Sequence, residues 1–181
     1  FNQKFNLTVQ AADLPQSGVT AVRDALLAKA RQAYAQREIH YPLDFILNVS
    51  VHREQVGTGS AAVSLAQWVK RKYGEVLEPE TIQAMSYDTL RRKLFEINEA
   101  YLTSGLDREI REATVYFDDS SAKKTELAAW VKERYQESVD ADELTTENVH
   151  EIVEDAAHRF LRYELTQLER YVLLQIFDAT W

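Results

Sequence analysis

Three residues of one helix-forming stretch have the types a metal site needs. His150, Glu154 and His158 lie four apart, so a helix brings them to one face. Imidazole and carboxylate groups at that spacing could ligate a divalent cation. However, the run His150-Glu151-Ile152-Val153-Glu154 lacks the second histidine of the zinc-hydrolase pattern. The places 62 residues earlier are Asp88, Arg92 and Glu96, so the face reads as the solvated side of a helix. The loop Gln55-Val56-Gly57-Thr58-Gly59-Ser60 is glycine-bearing, but no Gly-Lys-Ser/Thr follows, so it reads as a connector and not a phosphate cradle. His40 and His52 are isolated and flank an apolar run. The chain has no cysteine, which excludes disulfides and thiolate-bound metal. No Ser/His/Asp or Cys/His set assembles from the remaining residues. The residues therefore assign no catalytic group, no cofactor-binding residue and no metal site.

What the sequence does carry is an internal echo. Leu65-Ala66-Gln67-Trp68-Val69-Lys70-Arg71-Lys72-Tyr73 and Leu127-Ala128-Ala129-Trp130-Val131-Lys132-Glu133-Arg134-Tyr135 agree at Leu, Ala, Trp, Val, Lys and Tyr, all at an offset of 62. The agreement continues through Leu77/Val139, Glu78/Asp140, Glu80/Asp142 and Ile82/Leu144. Each unit then reaches a further tyrosine, Tyr101 or Tyr163. Lys4 to Leu14 aligns with Lys72 to Ile82 at an offset of 68, and Val22 and Leu26 then fall on Leu90 and Leu94. The expected architecture is all-α: three related units in tandem, about 1–60, 61–119 and 120–163, the first truncated, followed by one long helix. A chain that opens inside a unit suggests a cut-out fragment. Trp68 and Trp130, with Tyr73 and Tyr135, read as core residues of a repeat and not as ligand-stacking groups.

The elements follow from periodicity and punctuation. Phe1 to Val9 reads as the end of a helix, and Leu14 to Gly18 as a turn. Val22, Leu26, Leu27, Ala30 and Tyr34 mark a helix over 20–38, which Tyr41-Pro42 should break. Residues 43–51 alternate like a strand, and Pro42 with Asp44 equally suits a helix start; the corresponding place in the other unit, Leu106 to Ala113, reads as helical, so the helical reading is favoured. Ser60 should cap a helix over 61–73, and Gly74 should end it. Pro79 opens a short helix over 79–84. Ser86 caps a helix over 87–102, which Thr103-Ser104-Gly105 should close. Helices over 106–114 and 123–136 follow. Asp140 with Glu143, and Asn148 with Glu151, read as N-caps with reciprocal acids. Val149 to Trp181 contains neither Pro nor Gly and reads as one helix of about 50 Å. Its second half is apolar on most of its circumference and should be buried in a larger protein, or exposed or dimerised in this piece.

Hydrophobic residues make up 45% of the chain and charged residues 28%, a mix that suits a helical globular protein. No apolar run reaches the length of about 18 residues that a membrane-spanning helix needs. The net charge of −8 argues against a nucleic-acid duplex or an anionic membrane surface as the main partner.

The terminal run Leu168-Glu169-Arg170-Tyr171-Val172-Leu173-Leu174-Gln175-Ile176-Phe177-Asp178-Ala179-Thr180-Trp181 resembles the end of the wing and the start of the returning scaffold helix in SecA, the motor ATPase of bacterial preprotein translocation. The Trp-Val-Lys-x-x-Tyr units resemble its helical wing domain. The run Ala33 to Leu43 resembles the expanded wing of a divergent subgroup. The resemblance implies a wing-like repeat domain over 1–163 and the start of a helical scaffold segment over 164–181. It implies a parent that uses ATP and Mg to push preproteins through the SecYEG channel, in the cytoplasm and peripherally on the inner membrane. The partners implied are the rest of that motor, the preprotein and the channel, with a possible dimer through the terminal helix. The family's Walker motifs have no counterpart here, so the piece itself is expected to be non-catalytic. A free-standing α-helical repeat adaptor for a protein partner is the alternative.

Overall fold

The computed structural model describes residues 1–5, 7–55 and 61–180. They form an all-α protein with no strand among the described residues. The chain divides into two compact bodies, Phe1–Tyr41 and Pro42–Trp181.

The first body opens with a single helical turn, α1 (Asn2–Phe5). The longer helix expected up to Val9 does not form. The Asn2 side chain donates to the Val9 carbonyl (2.9 Å) and accepts from the Val9 amide (3.0 Å), a local pairing that competes with helix. A 3₁₀ turn (Ala11–Asp13) and Gly18, at φ 108°, lead into α2 (Val19–Gln55).

Helix α2 runs through Pro42, where a break was expected. Proline removes one backbone donor but holds a helical φ, and its cost of about 3 kcal/mol can be offset by tertiary burial. That burial follows at once: Leu43 is 0% exposed and Leu47 1%. The run 43–51 is thus helical, the reading favoured over a strand. The glycine-bearing loop and the Ser60 cap lie at 56–60, outside the described residues.

The second body continues with α3 (Ala61–Tyr73), α4 (Pro79–Ala84), α5 (Tyr87–Ala100), α6 (Leu106–Thr114), α7 (Ser121–Tyr135), α8 (Val149–Leu161) and α9 (Tyr163–Thr180). The boundaries answer to local chemistry. Gly74 takes φ 72° and its amide bonds the Lys70 carbonyl, ending α3. The Ser86 and Ser120 hydroxyls accept from the amides of Thr89 and Lys123, opening α5 and α7. Asp140 accepts from the Asp142 amide and starts a 3₁₀ turn (Ala141–Glu143).

Asn148 departs from its expected capping role. Its amide turns back, accepting from the Thr145 amide (2.8 Å) and donating to the Glu143 carbonyl (2.9 Å). Thr103-Ser104-Gly105 does not close α5. The chain passes through a π turn (Tyr101–Gly105) directly into α6, with Gly105 in ordinary helical geometry. A Cβ on Gly105 would lie 3.0 Å from Tyr101 Cδ2, so the missing side chain lets the tyrosine ring lie close against the turn.

The core of this body is one cluster. Helix α3 supplies Leu65, Trp68, Val69 and Tyr73, and α5 supplies Leu94 and Ile97. Leu106 and Ile110 come from α6, Leu127, Val131 and Tyr135 from α7, and Val149, Val153, Ala156, Ala157 and Phe160 from α8. Three- and four-residue steps put each set on one helix face. Helix α8 packs against both α6 and α7. Element starts also recur: α4 and the second 3₁₀ turn begin at Pro79 and Ala141, and α5 and α8 at Tyr87 and Val149, each 62 residues apart.

The single long helix expected after Asn148 is interrupted at Arg162, whose φ and ψ are −91° and 8°. No proline or glycine causes this. At this break a side chain from α3 meets the chain.

Candidate functional site

Lys72 lies seven residues after Leu65 and four after Trp68, on the apolar face of α3. That register carries its ammonium into the core, where the residue is 1% exposed. An ammonium has three donors; two carbonyls accept from this one and a carboxylate oxygen pairs with it as an ion. Nζ lies 2.5 Å from the Phe160 carbonyl, 3.2 Å from the Leu161 carbonyl and 2.9 Å from Glu164 Oε2. In an unbroken helix those two carbonyls would receive the amides of Glu164 and Leu165. The lysine takes them instead, and the chain turns at Arg162 before α9 begins.

The other oxygen of the carboxylate is also engaged. Trp68 Nε1 donates to Glu164 Oε1 at 2.9 Å. The Lys72 ammonium stands 4.6 Å from the Phe160 ring centroid and 5.9 Å from that of Trp68, within cation–π reach. Burial pulls the Lys72 pKa below the ordinary lysine value, and the Glu164 charge and hydrogen bond pull it back up. Beside this pair, Tyr73 packs edge-on against Trp68 at 5.7 Å and donates to Asn98 Oδ1 at 3.1 Å. Burial is the main cause raising the Tyr73 pKa, with Glu164 adding to it.

A second cluster is built around Arg134 on α7. Its Nε pairs with Glu109 Oε1, and one terminal nitrogen reaches Glu109 Oε2 at 3.1 Å. The same guanidinium donates to the carbonyls of Arg71 (2.7 Å) and Lys72 (3.3 Å), the exposed end of α3. Those carbonyls have no partner within their own helix, so the arginine caps α3 from outside it. Tyr101 Oη donates to Glu109 Oε2 at 2.9 Å, and Tyr135 Oη to Glu109 Oε1 at 3.3 Å. Burial, with the Glu109 charge, raises the pKa of both tyrosines. The planar fork of arginine suits this many acceptors better than an ammonium would.

The residues singled out for chemistry from the sequence stand elsewhere. His150 and His158 are exposed, and His158 Nε2 lies 3.7 Å from Glu154 Oε1 on the α8 surface. Among the described residues no group of three His, Asp or Glu is placed to hold a metal. His40 is exposed on α2. Trp68 is a core residue at 7% exposure, whereas Trp130 is only half-buried. Its edge-on contact with Tyr135, at 5.5 Å, matches that of Trp68 with Tyr73.

Lys72, Glu164, Arg134 and Glu109 escaped the sequence reading. A signal was present: a lysine on the apolar stripe of a helix, with an arginine at the corresponding place of the echo. The arrangement is mechanical in what it can do. Lys72 and Glu164 tie α3 to the joint between α8 and α9, and Arg134 ties α7 to α6 and to the end of α3.

No helix among the described residues is long and apolar enough to cross a membrane. Comparison with protein-family models, with curated proteins and with solved structures found no match in any of the three.

Proposed function

We propose that this chain is a non-catalytic helical wing and scaffold portion of a SecA-like translocation motor, built from related helical units. The observation that carries the proposal is the run Glu169-Arg170-Tyr171-Val172-Leu173-Leu174-Gln175 to Asp178 and Trp181, with the spacing of the returning scaffold helix. The geometry supports it. Tyr171, Leu173, Leu174, Ile176 and Phe177 are each more than half exposed on α9, as a segment that packs into a larger body requires. In this reading the wing frames the preprotein clamp, and the Lys72–Glu164 joint fixes the direction in which α9 leaves the wing. ATP and Mg act in the motor domains of the parent, and the SecYEG channel and preprotein are met by the whole motor, on the cytoplasmic side of the inner membrane. A free-standing repeat adaptor is the second reading, favoured by the recurrence of element starts at 62 residues.

Sequencing the gene on both sides of this segment separates them. The translocase reading expects nucleotide-binding motifs upstream and a Lys-Asp/Glu-His-Leu segment directly after Trp181. A start codon at Phe1 and a stop after Trp181 would overturn it and leave the adaptor.

A further inference from the structure

The two tryptophans of the echo differ in one respect that points to a ligand. Trp68 Nε1 is bonded to the Glu164 carboxylate, which Lys72 also holds. The molecule thus shows what an indole N–H beside a cation receives: the carboxylate of an acidic side chain carried on a helix. Trp130 is half-buried, packs against Tyr135, and finds no acceptor for its indole N–H among the described residues. It helps line an open cleft of about 530 Å³ between α3 and α7, with Gln67, Lys70, Arg71 and Gly74 from α3 and its end, and Glu133 and Arg134 beside it on α7.

Lys70 and Arg71 are exposed, and neither makes an ion pair among the described residues. Basic residues in the last turn of a helix ordinarily complement its terminal carbonyls. Here that role is filled from outside, because Arg134 already takes the carbonyls of Arg71 and Lys72. The two side chains are left over as charges facing solvent. They stand out on a chain of net charge −8. Arg134 also fixes the cleft, since it bonds α7 to the end of α3 and is itself anchored on Glu109.

We propose that this cleft docks an acidic peptide segment: Lys70 and Arg71 receive its carboxylates, the Trp130 N–H supplies a further donor, and the indole face covers a neighbouring apolar side chain. Charge complementarity selects the occupant. A nucleic acid would offer anions too, but the acidic remainder of the chain repels an extended phosphate backbone beyond the cleft. A short peptide presents its charges only where the cleft can answer them. The proposal does not depend on the translocase reading, because it rests on this chain's own cleft and is tested on this chain alone.

The test is fluorescence anisotropy of a labelled, end-blocked peptide of alternating Glu and Leu, with its Lys-for-Leu-spaced counterpart (Lys replacing each Glu) and a short single-stranded RNA as competitors for the site. The acidic peptide should bind, and binding should weaken as salt rises through the range in which the screening length shortens to about 8 Å. The double variant K70Q/R71Q should lose about tenfold or more in affinity, equivalent to about 1.4 kcal/mol. Trp130→Phe, which keeps the ring and removes the N–H, should lose less than the double variant but measurably. All three positions are at least partly exposed, so circular dichroism should show the variants folded. Absence of acidic-peptide binding, equal binding of the basic peptide, tighter binding of the RNA, or unchanged affinity in the double variant would each overturn the proposal.

Discussion

The α3 segment from Leu65 to Tyr73 and the α7 segment from Leu127 to Tyr135 share six residues of nine and an edge-on Trp–Tyr pair, yet they do opposite things with their cations. In α3 the cation is a lysine, 1% exposed, and it reaches forward along the chain to α8 and α9. In α7 the corresponding cation is an arginine, its side chain 19% exposed, and it reaches back to α6 and the end of α3. The residue type follows the site. A compact ammonium fits three convergent acceptors in a closed core, and a fork fits acceptors spread over several partly buried groups. The tryptophans follow the same division: Trp68 is enclosed and bonded, whereas Trp130 is left at a cleft. The lesson is that burial, more than sequence identity, decides what a matched residue does.

The largest effect that would break this contrast is at Glu164. Replacing it by Leu leaves the Lys72 charge buried without its counter-ion, and should cost about 3–5 kcal/mol in a urea titration. A loss below about 1 kcal/mol, typical of exposed pairs, would put the Lys72 site on the same footing as the surface ion pairs. Arg134→Leu comes next. It removes several hydrogen bonds to a partly exposed carboxylate and to two carbonyls, and should cost about 1–3 kcal/mol by the same titration. The tryptophans sharpen the comparison further. Trp68→Phe leaves one buried carboxylate oxygen without its donor and should cost about 1–2 kcal/mol, while Trp130→Phe should stay within about 0.5 kcal/mol. Equal costs would erase the distinction between the enclosed and the open ring.

The smallest effect is in the alkaline limb of the stability profile. Tyr73, Tyr101 and Tyr135 have pKa values raised in the folded state by burial. Above about pH 10 the unfolded chain therefore releases phenolic protons that the folded chain retains, and stability falls as pH rises. Lys72 acts in the other direction. Its lowered folded pKa means that the unfolded chain binds more protons up to the ordinary lysine value, so stability rises with pH in that window. Three phenols oppose one ammonium, so the net change should be a loss. Denaturant midpoints between about pH 9 and about pH 11 should fall, and fall less in Tyr73→Phe. An alkaline slope that Tyr73→Phe leaves unchanged would contradict this assignment.

Much of the helical framework was legible because its signals are local. Pro79, Ser86 and Gly74 each act within a turn of their own position, and the elements they delimit stand where those residues place them. The misreadings share a different cause. Pro42 stays helical where Leu43 and Leu47 are buried just beyond it. Thr103-Ser104-Gly105 looks like a stop, but the glycine serves the Tyr101 ring and the chain winds on. The break at Arg162 is met by a lysine some 90 residues earlier in the chain, a contact that no window of sequence around it could reveal. The site was illegible for the same reason. Its charges belong to four separate helices, and only the odd placement of Lys72 on an apolar stripe betrayed one of them.

The central claim is that Lys72, by taking two carbonyls and the Glu164 carboxylate, interrupts the helix and sets the course of α9. The most direct measurement is NMR of residues 160–165 in the wild type and in K72M/E164L, a double variant that removes both charges together and should remain folded. Carbon chemical shifts at Arg162 should be non-helical in the wild type and helical in the variant, with slower amide exchange at positions 164 and 165 once their carbonyl partners are released. A break that persists unchanged in the variant would contradict the claim and place the cause of the turn outside the lysine.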